Sequence, residues 1–118
     1  MRTLEKKPSS PGSWLVLKFG GTSVSSLKNW ETIRDLIDER TQAGFRVLVV
    51  HSALKGISNL LEQSIQEALS KDQQLALVDI IKAHSSLSSD LGLDVLEMLN
   101  EDIQILKSSL AKVNHQKR

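Results

Sequence analysis

The apolar positions divide the chain into a first half with two short runs and a second half with helical periodicity. Residues 14–19 (WLVLKF) and 46–51 (RVLVVH) are nearly continuous apolar runs of strand length. Such runs are typical of parallel strands whose two faces are both covered. We therefore predict two strands, the first of which ends sharply at Gly20-Gly21.

An amphipathic helix is predicted between the two strands. Apolar residues recur at helical spacing from Leu27 to Ile37, Ser25 and Ser26 are candidate N-caps, and Gly44 supplies a C-terminal stop. Strands that are joined by such a helix run parallel, as in other strand–helix–strand units. The first half is therefore predicted to be α/β.

Beyond Ser52 the apolar positions follow helical spacing, and no third strand is predicted. The three predicted helical stripes consist of Ile57, Leu60, Leu61, Ile65, Ala68 and Leu69, then Leu75, Val78, Ile81 and Leu87, then Leu93, Leu96, Leu99, Ile103, Leu106, Leu110 and Val113. Asp90 or Asp94 is the candidate cap of the last helix. Because two parallel strands cannot satisfy their own edges or cover their own faces, the pattern predicts an incomplete α/β domain.

Composition restricts the possible functions. Fifteen Lys and Arg against fourteen Asp and Glu leave a charge of +1, and two Trp and two Phe offer little surface for base stacking. The absence of cysteine excludes disulfides and thiolate metal sites. No apolar run approaches the ~20 residues of a membrane span, and the N-terminus lacks a signal-peptide core. We expect a cytoplasmic globular protein without nucleic-acid or membrane partners.

The strongest motif is residues 18–24 (KFGGTSV), where a buried strand turns into a helix. Two glycines let backbone N–H groups approach phosphate oxygens, the helix N-terminus favours anions, and Lys18 adds positive charge. The motif is neither a Walker A loop nor a dinucleotide-binding fingerprint. From spacing alone, a phosphate site and a plain Gly-Gly turn with a solvated Lys18 are both open.

This heptapeptide resembles the opening signature of the aspartate kinases. Residues 52–61 (SALKGISNLL) resemble the second landmark of that family, and the two landmarks lie at the family's usual separation. The resemblance implies that residues 14–118 are an N-terminal fragment of the amino-acid kinase fold, with a parallel β-α-β unit followed by helices. The polar, proline-interrupted residues 1–13 are predicted to be a disordered tail.

The resemblance also implies an activity and roles for individual residues. The parent enzyme would phosphorylate the side-chain carboxylate of L-aspartate with ATP, the first step toward lysine, threonine and methionine. Lys18 would stabilise the transferring phosphoryl group. The phosphate-contacting residues would be Lys18, Gly20, Gly21, Thr22 and Ser23, and the aspartate-contacting residues Ser52 and Ser58. Mg²⁺ is implied with ATP, although no residue here can be named as its ligand and no metal site is predicted.

Some features depart from the family pattern. Ser58 stands where many members have Thr, and His51 occupies a strand position that is more often apolar; we expect His51 to be a satisfied strand-end residue. The family's Gly-Glu pair, acidic catalytic residue, substrate arginine and nucleotide-binding half do not follow Arg118, so this chain alone is expected to be inactive.

Two further functions stay open at this stage. The chain could be a non-catalytic module that binds an anion or pairs through its helices and open sheet edge, or it could come from another amino-acid kinase. We expect the parent protein to be a homo-oligomer and this chain to be capable of self-association.

Overall fold

A computed structural model describes residues 8–116, which fall into two compact units that divide after Ser52. The predicted disordered tail lies largely in residues 1–7, which are outside the described residues, as are residues 117–118. The last two residues of the predicted tail are hydrogen-bonded to the chain around the start of the second strand. The N–H of Gly12 donates to the carbonyl of Gly44 (3.1 Å), and the N–H of Arg46 donates to the carbonyl of Ser13 (2.9 Å).

The first unit is a strand–helix–strand arrangement. Strand β1 spans Trp14–Phe19, helix α1 spans Leu27–Gln42 and strand β2 spans Arg46–His51. The strands pair in parallel, with Trp14 opposite Arg46 and Phe19 opposite His51, and α1 packs against β2. The predicted parallel β-α-β unit is therefore confirmed.

Local chemistry explains where α1 begins and ends. The hydroxyl of Ser26 accepts a hydrogen bond from the N–H of Asn29 (3.2 Å), which satisfies one of the unpaired donors of the first turn. After the helix, Gly44 adopts a φ of +100°, a conformation that side chains disfavour. A Cβ at Gly44 would also lie 3.3 Å from Cγ of Pro8, so the chain reversal before β2 depends on glycine.

Only one face of the two strands is covered within the described residues, as expected for an incomplete α/β domain. Exposure alternates along both strands: Leu15, Leu17 and Val47 are half-buried, whereas Val16 and Leu48 on the opposite face are 58% and 50% exposed. The guanidinium of Arg46 lies 5.8 Å from the ring centroid of Trp14, another exposed residue of this face. One helix covers one face of a two-stranded sheet and cannot cover the other.

The second unit consists of three helices, as predicted, and these helices pack against one another. Helix α2 spans Ile57–Ser70, α3 spans Leu75–Asp90 and α4 spans Val95–Gln116. A cluster of Ala68, Leu77 and Leu110 forms the core, with partly buried hydrophobic residues around it: Ile81, Leu106 and Val113. None of the helices in residues 8–116 is long and apolar enough to cross a lipid bilayer.

The buried face of α3 differs from the predicted one. Leu75 and Val78 were expected to face the core but are exposed, whereas Ala76, Leu77 and Ile80 are buried. Helix α3 carries two adjacent apolar arcs, and the positions of α2 and α4 decide which of them is covered. At the start of α4, Leu96 is likewise exposed and Val95 is buried.

Two acidic side chains cap the helices of this unit. Oδ1 of Asp94 accepts hydrogen bonds from the N–H groups of Leu96 (3.0 Å) and Glu97 (3.3 Å), so Asp94 caps α4, and Asp90 instead ends α3. Glu67 of α2 caps α3 across the intervening loop, because its carboxylate accepts from the N–H groups of Leu75 (2.9 Å) and Ala76 (3.0 Å). Capping signals in the sequence are local, so they do not predict this long-range cap.

Candidate functional site

The candidate site is the turn of residues 20–26, which joins β1 to α1. Its backbone is folded by short-range hydrogen bonds, from the N–H of Ser23 to the carbonyl of Gly20 (3.1 Å) and from the N–H of Ser25 to the carbonyl of Thr22 (3.4 Å). The hydroxyl of Ser25 also donates to the carbonyl of Gly21. Three carbonyl groups of the turn are thus engaged internally.

Two side chains of α1 also donate hydrogen bonds to the turn. Nδ2 of Asn29 donates to the carbonyl of Thr22 (3.0 Å), and the indole Nε1–H of Trp30 donates to the carbonyl of Val24 (2.7 Å). The side chain of Val24 is almost completely buried. Trp30 is predicted from its spacing only as part of the apolar stripe of α1; the signal for its polar role is the indole N–H, which usually finds a partner when it is buried.

The N–H groups of the turn are available to a ligand. The N–H groups of Gly21 and Thr22 donate no hydrogen bond to any residue in the part of the chain that the structure describes. Gly20 does not have a left-handed φ, and a Cβ at this position would meet nothing within 4 Å. The described fold gives no internal reason for glycine at position 20, and the open space in front of its backbone can admit an external group.

The charge around the turn favours an anion. Lys18 is exposed near the end of β1, opposite Val50, and its ammonium group makes no ion pair with any residue from 8 to 116. The first turn of α1 contains no acidic residue, so its unpaired N–H groups contribute uncompensated positive potential. The exposed Thr22 and the half-buried Ser23 add hydroxyl groups to the same turn.

Ser52 lies beside this turn. Its N–H donates to the carbonyl of Phe19 (3.2 Å), which continues the pairing of the strands by one residue and holds Ser52 next to the start of the turn. The structure therefore brings Lys18, the turn and Ser52 to one end of the sheet. Ser58 belongs to the second unit, where it is exposed in the first turn of α2, two residues after Gly56 with its φ of +83°.

His51 has a structural environment at the end of β2. Its ring packs edge-on against Trp30, with centroids 5.8 Å apart and planes at 81°. Its Nδ1–H donates to the carbonyl of Ser52 at 2.9 Å. These contacts agree with the expected satisfied strand-end histidine.

The residues of the turn do not make a magnesium site. Mg²⁺ prefers carboxylate, phosphate and water oxygens, and the turn offers only hydroxyl groups and a lysine. Within residues 8–116, no three His, Cys, Asp or Glu side chains are grouped so that they could hold a metal ion. Any ion that accompanies a nucleotide here would need ligands from elsewhere.

Comparison with known proteins identifies similar sequences. The chain is 32% identical to an aspartokinase of Chlamydia muridarum over 81 residues, which is 69% of this chain and 17% of that protein. It is 42% identical to an aspartate kinase of Pseudomonas fluorescens over 60 residues, 51% of this chain and 14% of that protein. It is 26% identical to the chloroplastic bifunctional aspartokinase/homoserine dehydrogenase 2 of Zea mays over 107 residues, 85% of this chain and 12% of that protein.

The chain thus spans less than a fifth of the length of these relatives. No solved structure matches it. The model of the amino acid kinase family matches residues 13–116, which include both strands, all four helices and the turn at Gly20-Gly21. This chain belongs to the amino acid kinase family.

Proposed function

We propose that this chain supplies the phosphate-binding turn of an aspartate kinase, which transfers the γ-phosphoryl group of ATP to the side-chain carboxylate of L-aspartate. The observation that carries the proposal is the turn itself. Its carbonyl groups are bonded internally, its N–H groups at Gly21 and Thr22 are unbonded within the described residues, and Lys18 stands beside it without an acidic partner. The similar proteins named aspartokinase support the choice of aspartate as substrate.

The roles of the residues follow from the needs of phosphoryl transfer, in which positioning and charge stabilisation do most of the catalysis. The N–H groups of Gly21 and Thr22 would hold phosphate oxygens, and the open space at Gly20 lets the phosphate chain approach. Lys18 would neutralise the charge that develops on the transferring group. The hydroxyl groups of Ser52 and Ser58 would contact aspartate.

The remaining parts of the proposal concern the parent enzyme. It would act in the cytoplasm at the first step toward lysine, threonine and methionine, as a homo-oligomer, with Mg²⁺ bound to ATP. The 118-residue chain would bind phosphate groups but would not turn over substrate by itself, because the turn contains no group that could hold the metal.

Binding to the turn can be tested directly on this chain. Titration with pyrophosphate, followed by ¹H–¹⁵N NMR, should shift the amide signals of Gly21 and Thr22 more than those of α3 and α4. Lys18→Met should weaken this binding by about tenfold, equivalent to about 1.4 kcal/mol, because it removes the charge beside the turn. Lys82→Met, an exposed lysine of α3, is the control and should leave the affinity unchanged.

The activity can be tested in a chimera in which this chain replaces the matching segment of the Chlamydia muridarum aspartokinase. The chimera should form aspartyl hydroxamate from ATP, aspartate and hydroxylamine. Lys18→Met in the chimera should lower kcat at least about 100-fold while the melting temperature stays the same, because a transition-state interaction is lost. A folded chimera that phosphorylates glutamate but not aspartate would point to another amino-acid kinase.

A non-catalytic module is the second candidate, and the exposed apolar side chains of the sheet favour it. Such a module would use this face for pairing with another chain, and the turn would be an inherited feature without a ligand. Absence of pyrophosphate shifts at Gly21 and Thr22, together with strong self-association, would support this alternative over the kinase.

A further inference from the structure

His51 is an ionisable residue at the end of the sheet that carries the candidate site. It lies opposite Phe19 in the last pair of the two strands, directly before the turn at Gly20-Gly21. The side chain of His51 is exposed, so its ring can exchange protons with the solvent. The proposed function assigns no role to this residue.

Two contacts hold the imidazole ring of His51 in place. Its Nδ1–H donates to the carbonyl of Ser52 at 2.9 Å, and its ring packs edge-on against the ring of Trp30, with centroids 5.8 Å apart. Nε2 has no hydrogen-bond partner among the residues that the structure describes. Because the neutral ring already carries its proton on Nδ1, a second proton can bind at Nε2 without breaking either contact.

The ring lies on the α1 side of the sheet, close to the turn. Trp30, which contacts the His51 ring, donates its indole Nε1–H to the carbonyl of Val24 at 2.7 Å. One aromatic ring therefore separates the imidazole from the backbone of the turn. A positive charge at such a separation attracts a bound anion through space, without a direct contact.

The neighbouring elements do not place a carboxylate between His51 and the turn. Residues 18–30, which cover the end of β1, the turn and the start of α1, contain no Asp or Glu. The nearest charged residues of the two elements are Lys18 of β1 and Lys28, Glu31, Arg34 and Asp35 of α1. Arg34 and Asp35 pair with each other at 3.1 Å. Side chains of these types ordinarily keep their charge between about pH 5 and pH 8, where histidine changes its own.

We propose that His51 is a further anion-stabilising residue of this site, whose imidazolium form strengthens the binding of a phosphate chain at the turn. The inference rests on the proposed phosphate-binding role of the turn. Affinity for an anion is then highest when His51 is protonated, and it falls as rising pH removes this charge. By linkage, a bound anion in turn favours the protonated ring.

Sulfate is the probe that isolates this effect, because it stays a dianion where pyrophosphate changes its own charge with pH. In ¹H–¹⁵N NMR titrations of the 118-residue chain at constant ionic strength, sulfate should shift the amide signals of Gly21 and Thr22. The affinity should be about threefold higher at about pH 6 than at about pH 8, a modest factor because solvent screens an exposed charge.

Variants separate the charge of His51 from its contacts. His51→Asn keeps a side-chain N–H for the carbonyl of Ser52 but cannot become charged, so the pH dependence should disappear. His51→Lys carries a lasting charge and should bind sulfate more tightly than the unmodified chain at about pH 8. A purely structural role would instead make both variants weaker at every pH. His84→Asn, at a histidine of α3, is the control and should keep the full pH dependence.

A second measurement needs no variant. The pH midpoint of the Cε1–H signal of His51 should rise when sulfate is added, whereas the midpoint of His84 should stay the same. An unmoved His51 midpoint, or equal sulfate affinity at the two pH values, would overturn the role of His51 and leave anion binding at the turn intact. If sulfate and pyrophosphate shift neither Gly21 nor Thr22 at either pH, the proposed phosphate site fails, and the role of His51 fails with it.

Discussion

Two glycines of the first unit differ in what the backbone requires of them. Gly44 has a φ of +100° and a Pro8 side chain in front of it, so the backbone itself requires glycine. Gly20 has neither restriction in the described residues. Gly44 therefore serves the fold, whereas the open space at Gly20 is what the proposed phosphate site would need.

The contrast gives a paired prediction. Gly20→Ala should leave the free energy of unfolding unchanged or raise it by up to about 1 kcal/mol, because alanine restricts the unfolded chain. It should nevertheless weaken pyrophosphate binding, because the methyl group fills the space in front of the turn. Gly44→Ala should lower the free energy of unfolding by about 1–3 kcal/mol. Urea unfolding followed by circular dichroism measures both, and a destabilising Gly20→Ala would show that the fold itself requires this glycine.

Trp30 should hold the turn through its indole N–H. Trp30→Phe keeps an aromatic ring but leaves the carbonyl of Val24 without its donor, so the free energy of unfolding should fall by about 1 kcal/mol. Pyrophosphate affinity should fall as well, because the turn loses one of the two hydrogen bonds that it accepts from side chains of α1. The control is Trp14→Phe, at an exposed tryptophan, which should change stability by less than about 0.5 kcal/mol. Equal effects of the two variants would contradict the role of Trp30.

At the level of the elements, helix α3 depends on α2 for its N-terminal cap. Gln74 at the N-cap position of α3 provides no side-chain hydrogen bond, and Glu67 satisfies the first N–H groups of the helix instead. A carboxylate at a helix N-terminus is also favoured by the helix dipole. This contact joins two helices that are consecutive in the sequence.

Removing this cap should destabilise the helical unit. Glu67→Ala should lower the free energy of unfolding by about 1–2 kcal/mol, the usual cost of losing an N-cap. Glu62→Ala is the matched control, since Glu62 is an exposed residue of the same helix, and its effect should stay below about 0.5 kcal/mol. Chemical denaturation followed at 222 nm compares the two. If both variants unfold at the same urea concentration as the unmodified chain, the cap contributes nothing measurable.

At the level of the whole molecule, the exposed face of the sheet should determine how the chain behaves in solution. Trp14, Val16, Leu48 and Val50 present apolar surface on this face, and exposed apolar patches favour association. We expect light scattering to show a mass that rises with protein concentration. This prediction concerns the 118-residue chain as it stands.

Substitution on this face should reduce the association. The double variant Val16→Thr and Leu48→Thr should shift the association to a concentration at least about tenfold higher, equivalent to about 1.4 kcal/mol, while threonine preserves the strand preference. Val78→Thr is the control, because Val78 of α3 is 59% exposed and Val16 is 58% exposed. If Val78→Thr has the larger effect, the helical unit and not the sheet mediates the association.

Much of the local structure could be predicted from the sequence. The two apolar runs correspond to β1 and β2, and the turn at Gly20-Gly21 lies between β1 and α1. Two of the predicted capping residues are also correct: Ser26 caps α1 and Asp94 caps α4. These features depend on interactions between residues close together in the chain, for which periodicity and capping preferences are informative. The roles of Ser52 and Ser58 in binding aspartate stay predictions.

Other features depend on contacts between residues far apart in the chain. The sequence determined the strand–helix–strand order, the three later helices and the Gly-Gly turn between β1 and α1, because each is encoded within a short segment. Only the tertiary structure decided that Ala76 and Leu77, and not Leu75 and Val78, face the core, that Glu67 caps α3, and that Trp30 contacts the ring of His51. Which arc of a helix is buried, and which polar groups meet, depends on where the neighbouring helices lie, and hydrophobic periodicity does not contain that information.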